Sequence, residues 1–577
     1  MSLQTWTAAR RTRLRVEPLE DRTQPAGGLL AEAAIGGGPG VADPVLYWNR
    51  VAQAVHVVDH TPGDEPGSGA FVQGGPTGAS RAFAMVQGAV FDAVNAITPT
   101  YTPYLLTQTF APTASKRAAV AVAAHDTLVS LFPGQAAAID NVLRVYLATV
   151  PNGFAENEGI RAGRAAAAAM LAARENDGAD AMIMYMPGDQ PGEHRPDPLH
   201  PDQGFLGPQW GEVVPFTLNA GGGTDEFLAP PPPALDSPEY AAAFNEVKVL
   251  GAADAETADR DGNGLPDRTH EQTTIGTFWG YDGTRGLGTP PRLYNQIAQK
   301  LAVQEHNTLL ENARLFALFN LAMADGGIQC WDTKYEYNFW RPILGIREAD
   351  AGTGPSGLGD NNPDTAGEAG WEPLGAPNTN APAGSSNFTP PFPAYGSGHA
   401  TFGATLFRTL ARFYGRDDIR FTFVSDEFNG RNRDVDGHPR PRIARTFDSF
   451  SEAAEENGQS RIYLGIHWSF DKTGGIAGGN RIADFVFDNF LRPLPAVAGG
   501  GKSVGHRVAA PPSWTSLAPA TVIGPAAGTR GSIASVPSAP AAPPPVPVAP
   551  LVAVSMPTLT IGSPEPTESV GLAPLGL

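Results

Sequence analysis

The sequence predicts an all-α protein, its helices packed as bundles and joined by long Gly/Pro-rich loops. Three observations predict this. Apolar residues recur at spacings of three and four over long segments, several segments are rich in strong helix formers, and no alternation of strand and helix patterns is found. A hydrophobic content of 42% can build a core, while 67 glycines and 55 prolines in 577 residues point to long loops and unstructured ends.

Residues 1–44 read as a disordered leader. The stretch AARRTRLRVEPLEDRTQPAGG is basic and then Pro/Gly-containing, without the apolar core of a secretory signal. It resembles short N-terminal segments that precede many exported bacterial proteins, so export to the periplasm, cell surface or medium is expected. Residues 45–235 are expected to form a first helical bundle. In ASRAFAMVQGAVFDAVNAI, Phe83, Val86, Val90, Val94 and Ile97 make one stripe, and KRAAVAVAAHDTLVSLF and IRAGRAAAAAMLAAR are Ala-rich. The proline run LAPPPPALDSPEY (228–240) marks the boundary to a second bundle, residues 236–495. There LLENARLFALFNLAMADGG is apolar nearly all round and ends in glycines, as a buried helix with a glycine stop would. FGATLFRTLARFYG and GIAGGNRIADFVFDNFL are amphipathic helices. Residues 496–577, with PSAPAAPPPVPVAP, read as an extended disordered tail.

A net charge of −19 argues against general binding to nucleic acid or anionic membranes, so any anion site must be a local basic pocket. No apolar run approaches the ~18 residues of a membrane span. The single cysteine, Cys330, excludes an intrachain disulfide framework and a Cys-based zinc site, and reads as a buried thiol.

Three segments of the second half carry chemistry. In WDTKYEYNFWRP, Lys334 and Arg341 lie seven apart, nearly two turns, so both are expected on one helix face with Trp331 a turn before Lys334. In AYGSGHATFG, glycines around Ser397, Gly398 and His399 at a helix start form an anion cradle of backbone N–H groups. In SRIYLGIHWSFD, His467 and Asp471 are i and i+4, so the carboxylate can hold the imidazole. Arg461 is out of register with His467 on an ideal helix, so a break at Gly465 or a long side chain must join them. Three cations, a hydroxyl, a backbone N–H and two imidazoles complete a shell for a tetrahedral oxyanion.

The pattern K-x6-RP, SGH and SR-x5-H-x3-D resembles that of the type 2 phosphatidic acid phosphatase and vanadium haloperoxidase superfamily, with Gly396 where Pro is usual. VLYWNRVA, FWGYDGTRGLGTPPRLYNQI, PPFPAYGSGHATFG and DEFNGRNRD extend the resemblance, closest to the vanadium-dependent chloroperoxidases, over most of residues 45–490. It implies two four-helix bundles and a bound vanadate that oxidises chloride or bromide with hydrogen peroxide. His467 would bond vanadium, Lys334, Arg341 and Arg461 would neutralise its oxygens, and Ser397 and the Gly398 N–H would donate hydrogen bonds. His399 would be the acid–base group and Lys334 would polarise the activated peroxide. Trp331 and Phe392 match the halide side of the pocket, and Asp282 matches a carboxylate paired with Arg461. Two other functions stand beside this one: an acid phosphatase with His467 as nucleophile and His399 as general acid, and a non-enzymatic, secreted oxyanion-binding protein. An organic acceptor is a further possible partner, and the oligomeric state is not encoded legibly.

Separately, DRDGNGLPD places Asp259, Asp261, Asn263 and Asp267 around a glycine turn like a calcium loop, without the bidentate Glu of an EF-hand. A polar surface insertion is the competing reading.

Overall fold

The computed structural model describes residues 43–63, 68–218 and 225–495. The expected leader and Pro/Ala-rich tail lie outside these residues, apart from Asp43 and Pro44.

Thirteen α-helices are described: α1 (Pro44–Asp59), α2 (Gly75–Ile97), α3 (Lys116–Leu131), α4 (Ala136–Leu147), α5 (Phe154–Ala173), α6 (Pro238–Leu250), α7 (His270–Phe278), α8 (Pro290–Gln304), α9 (Leu309–Tyr337), α10 (Pro342–Arg347), α11 (Gly398–Tyr414), α12 (Phe450–Tyr463) and α13 (Ser469–Asn489). The all-α expectation therefore holds, with one addition. A short antiparallel pair, β1 (Phe421–Asn429) and β2 (Arg442–Phe447), lies between α11 and α12. Phe421, Phe423 and Ser425 face inward while Thr422 and Thr446 meet outside, an alternation too short to stand out in the sequence. Among the described residues, no helix is long and apolar enough to cross a membrane.

Helix α9 is the hub, packed on α2, α11 and α13, while α11 also packs on α12 and α13. In the first half, α3 packs on α2 and α5. The predicted stripe of α2 is buried throughout: Phe83, Val86, Val90, Val94 and Ile97 are each 3% exposed or less. A reciprocal capping box between Thr308 and Glu311 starts α9.

Two expectations are corrected here. The chain does not leave the helix at Gly326–Gly327, and α9 runs on to Tyr337. Those glycines serve packing instead. A Cβ on Gly326 would lie 3.1 Å from Thr405 Cγ2, and one on Gly327 would lie 3.0 Å from the Phe402 ring. Close approach of α11 outweighs the helix-breaking tendency of glycine. The real stop is Asn338, in the left-handed region at φ 48°, ψ 35°. Lys334 and Arg341 are therefore not on one helix: Lys334 sits in the last turn of α9 and Arg341 is the N-cap of α10.

The α11–α13 contact supplies a test of this packing. A Cβ on Gly479 would overlap the Thr401 carbonyl oxygen and come 2.8 Å from Ala404 Cβ, whereas one on Gly478 meets only the Gln329 side-chain tip at 3.2 Å. Gly479→Ala is expected to destabilise the fold by about 1–3 kcal/mol. Gly478→Ala is expected to be neutral or stabilising, since alanine favours helix. Denaturant midpoints of both variants check this, and equal shifts would contradict the packing argument.

Candidate functional site

The site is assembled where α9 ends, α11 begins and the loop between α12 and α13 turns. Ser397 caps α11 with its hydroxyl, and its own N–H donates to the Asp471 carbonyl at 2.9 Å. Gly398 is the first helical residue, so its N–H has no partner within the helix. A Cβ there would lie 3.3 Å from the Trp331 ring, which explains the glycine: backbone and indole must approach closely. The predicted cradle is thus a real helix N-terminus with its positive dipole end turned inward.

Three cations are buried around it: Lys334, Arg341 and Arg461 are each 1% exposed or less. Lys334 Nζ donates to the carbonyls of Pro393 and Ala394, both at 2.9 Å, and to that of Gly396. Arg341 Nε donates to the Phe392 carbonyl at 2.8 Å and Nη1 to that of Ile466 at 2.7 Å. The carbonyls of Phe392, Pro393, Ala394 and Gly396 are therefore fastened by two cations, and Gly396 in place of proline leaves that segment held. Arg461 Nη2 pairs with Asp282 Oδ1 at 2.6 Å. Burial pushes the Lys334 ammonium down and the carboxyls of Asp282 and Asp471 up. Cys330 is buried as expected, its thiol against the Gly396 carbonyl.

The break at Gly465 (φ 71°) occurs as expected, just after α12, and brings His467 back beside Arg341. His467 Nδ1 donates to Asp471 Oδ2 at 2.8 Å, which leaves Nε2 as an acceptor for Arg341 Nη1 at 3.1 Å. His399 Nε2 donates to the Gly280 carbonyl at 2.7 Å, leaving Nδ1 as its basic atom. Both imidazoles are held neutral. Burial lowers each pKa well below the usual histidine range, helped by Arg461 at His399 and by Arg341 at His467.

The Trp331 and Phe392 rings stand 4.8 Å apart, and Lys334 Nζ lies 5.1 Å from the Phe392 centroid. They form an apolar wall beside the ammonium. All the residues expected around the oxyanion, with Asp282 and Asp471 behind them, are therefore gathered in one place.

Sequence reasoning missed several supports. Tyr294 Oη and Asn457 Nδ2 both donate to the His399 carbonyl, at 2.9 and 2.7 Å. Glu427 on β1 is fully buried, receives Arg440 Nη1 at 2.7 Å and accepts the Tyr281 N–H at 3.1 Å, bracing the loop that carries Asp282. Its signal was present: in the strand period it falls on the inward face with Phe421, Phe423 and Ser425. His194 is buried beside Tyr185 and Phe205, with both ring nitrogens unpartnered among the described residues.

Several buried polar atoms here lack partners among the described residues: Arg341 Nη2, Arg461 Nε and Nη1. A buried guanidinium nitrogen without an acceptor costs about 1–3 kcal/mol, so the donor set fits a tetrahedral oxyanion. The Asp259–Asp267 loop stands apart. Carboxylate oxygens of Asp259, Asp261 and Asp267 lie within 4.8 Å of one another. Asp259 accepts the N–H groups of Asn263 and Gly264, both at 2.9 Å, and Asp267 accepts Arg260 Nη1 at 3.1 Å. Asn263 Nδ2 donates to Asp261 at 2.7 Å.

Residues 314–494 match the family described as the VCPO second helical-bundle domain. The chain is 36% identical over 322 residues to the vanadium chloroperoxidase of Curvularia inaequalis, an alignment covering 49% of this chain and 48% of that protein. The chain thus spans about half the length of the curated relative it matches. Its fold is that of solved bacterial proteins. One is a vanadium-dependent iodoperoxidase (TM-score 0.57, 22% identity, 78% of this chain and 98% of that one). Another is a vanadium-dependent chloroperoxidase (TM-score 0.53, 16% identity, 72% and 92%).

Neutral burial of His399 has a measurable consequence. Its folded pKa lies below the unfolded value of about 6.5, so the unfolded chain binds more protons. Its contribution to stability is complete above about pH 6.5 and is lost as pH falls, at about 1.4 kcal/mol per pH unit. His399→Gln is expected to flatten the fall in unfolding free energy between about pH 6.5 and 5 by that slope. Parallel curves for the two proteins would mean that His399 is charged in the fold.

Proposed function

From the VCPO second helical-bundle domain at residues 314–494 and the oxyanion shell around it, we propose that the protein is a vanadate-dependent haloperoxidase. It would oxidise chloride or bromide with hydrogen peroxide to hypohalous acid. The observation that carries this reading is the set of buried guanidinium nitrogens of Arg341 and Arg461 without partners among the described residues, together with the His467 imidazole beside Arg341, whose Nε2 is kept as an acceptor.

When bound, vanadate supplies a Lewis-acid centre at which peroxide is activated towards halide. The chain does the rest. Asp471 fixes the His467 tautomer so that the Nε2 lone pair, now turned to Arg341 Nη1, would be the one to hold the metal. Arg341, Arg461 and Lys334 neutralise the oxyanion, while Ser397 Oγ and the Gly398 N–H donate to it. Asp282 orients Arg461. His399 accepts a peroxide proton at Nδ1, its ring aimed by the Gly280 carbonyl. Lys334 would place its ammonium where negative charge develops, the bound oxyanion opposing the burial that lowers its pKa. Trp331 and Phe392 exclude water beside it and receive the halide.

The two histidines separate the roles. His467→Ala is expected to weaken vanadate binding and nearly abolish halide oxidation, because the protein–metal bond is lost while the cations remain. His399→Ala is expected to bind vanadate much as before and to lose about 10²–10⁴-fold in turnover. Vanadate titration followed by assay at saturation checks both. Vanadate-independent hydrolysis of phosphate esters without halide oxidation would instead favour the phosphatase reading.

Trp331→Ala or Phe392→Ala is expected to reduce chloride turnover more than bromide turnover, since chloride is harder to oxidise and needs a drier pocket. Steady-state rates with each halide measure the difference. Equal losses would remove these rings from the halide site.

A further inference from the structure

A second constellation lies outside the oxyanion shell. His200 Nδ1 donates to Asp197 Oδ2 at 2.9 Å, and His200 Nε2 lies 2.9 Å from Ser386 Oγ. Asp197 is 2% exposed and is held by the Leu199 N–H at 2.8 Å and the Thr389 N–H at 3.3 Å, so its carboxylate is fixed behind the ring. With Nδ1 protonated towards Asp197, Nε2 is the acceptor for the serine proton. The three residues come from two loops 186 positions apart for His200 and Ser386, a proximity the sequence does not reveal.

The constellation opens into space. His200, Ser386, Gln203, Asn378, Phe388 and Pro391 line a shallow cleft of about 510 Å³ that is open to solvent. That volume suits a small organic ligand. Phe388 and Pro391 give it an apolar wall. Two side-chain amides stand at its edge: Asn378 Nδ2 donates to the Ser386 carbonyl at 3.0 Å and Gln203 Nε2 to the Thr389 carbonyl at 2.8 Å. Each amide nitrogen carries a second N–H.

We propose that Asp197, His200 and Ser386 form a serine-hydrolase triad that cleaves short-chain carboxylic esters held in this cleft. Ser386 Oγ attacks the ester carbonyl carbon as its proton passes to His200 Nε2. The carbonyl π pair moves to oxygen, where the remaining amide N–H groups of Asn378 and Gln203 are the available donors. The carbonyl re-forms, the C–O bond to the alcohol breaks, and the leaving alkoxide takes the proton from His200. Water then adds to the acyl-serine, giving its proton to His200, and release of the carboxylic acid returns that proton to Ser386 Oγ. No metal, oxidant or reductant is needed. The proposal is independent of the vanadate reading.

The test uses the full chain with neither vanadate nor halide added. A fluorophosphonate probe is expected to modify Ser386, forming an O–P bond with loss of fluoride, as located by peptide mass mapping. Ser386→Ala should abolish labelling, and His200→Ala should slow it at least 100-fold. p-Nitrophenyl acetate hydrolysis should fall to the background rate in Ser386→Ala. Thermal midpoints of that variant should match the parent, because Ser386 is exposed. Absence of labelling at Ser386, or ester hydrolysis unchanged by Ser386→Ala, would overturn the proposal and leave the three residues as a staple between loops.

Discussion

The structure depends on enclosing three cations with too few carboxylates. Lys334, Arg341 and Arg461 are almost fully buried, and only Arg461 makes a direct ion pair, with Asp282. Burying charge is tolerated only when the proton donors find acceptors. Here the acceptors are mostly backbone carbonyls, from residues 392–396 and Ile466. These bonds satisfy many donors without cancelling charge. The pocket keeps a positive surplus, the electrostatic basis for the oxyanion site proposed above.

The same bonds shape the backbone. Because Lys334 and Arg341 grip the 392–396 segment from the ends of two different helices, the start of α11 is fixed against the end of α9. The left-handed residue Asn338 lets the chain leave α9 and return as α10, aiming Arg341 at the same point as Lys334. Gly465 performs the same service after α12, turning His467 towards Arg341. Four helix termini therefore converge, the ends of α9 and α12 and the starts of α10 and α11.

Electrostatics and hydrogen bonding also divide two chemically identical side chains. His467 points its protonated nitrogen at a carboxylate, and His399 points its own at a carbonyl. Both keep the other nitrogen as a lone pair, and burial, helped by nearby cations, holds both ring pKa values well below the usual histidine range. In the proposed function the carboxylate partner would make His467 the stronger donor to a metal, while the carbonyl partner would leave His399 free to exchange a proton. Glu427, Tyr294 and Asn457 hold the elements around them without reaching the centre.

The sequence by itself determined the helical class and the buried stripe of α2, and it singled out the residues that the structure brings together around the start of α11. Local periodicity, glycine placement and the spacings K-x6-RP, SGH and SR-x5-H-x3-D carry that information along the chain. It misassigned Gly326–Gly327 as a stop, because whether a glycine ends a helix or admits a neighbour depends on what packs against it. It put Lys334 and Arg341 on one helix, because the left-handed turn at Asn338 has no periodic signature. Only the tertiary structure decided that two cations on separate helices share one loop's carbonyls, that Glu427 braces the Asp282 loop, and that Ser386 meets His200. Each of these joins residues far apart in sequence, and the physical reason is the same: such contacts are fixed by how whole helices and loops pack, which no local pattern of residues encodes.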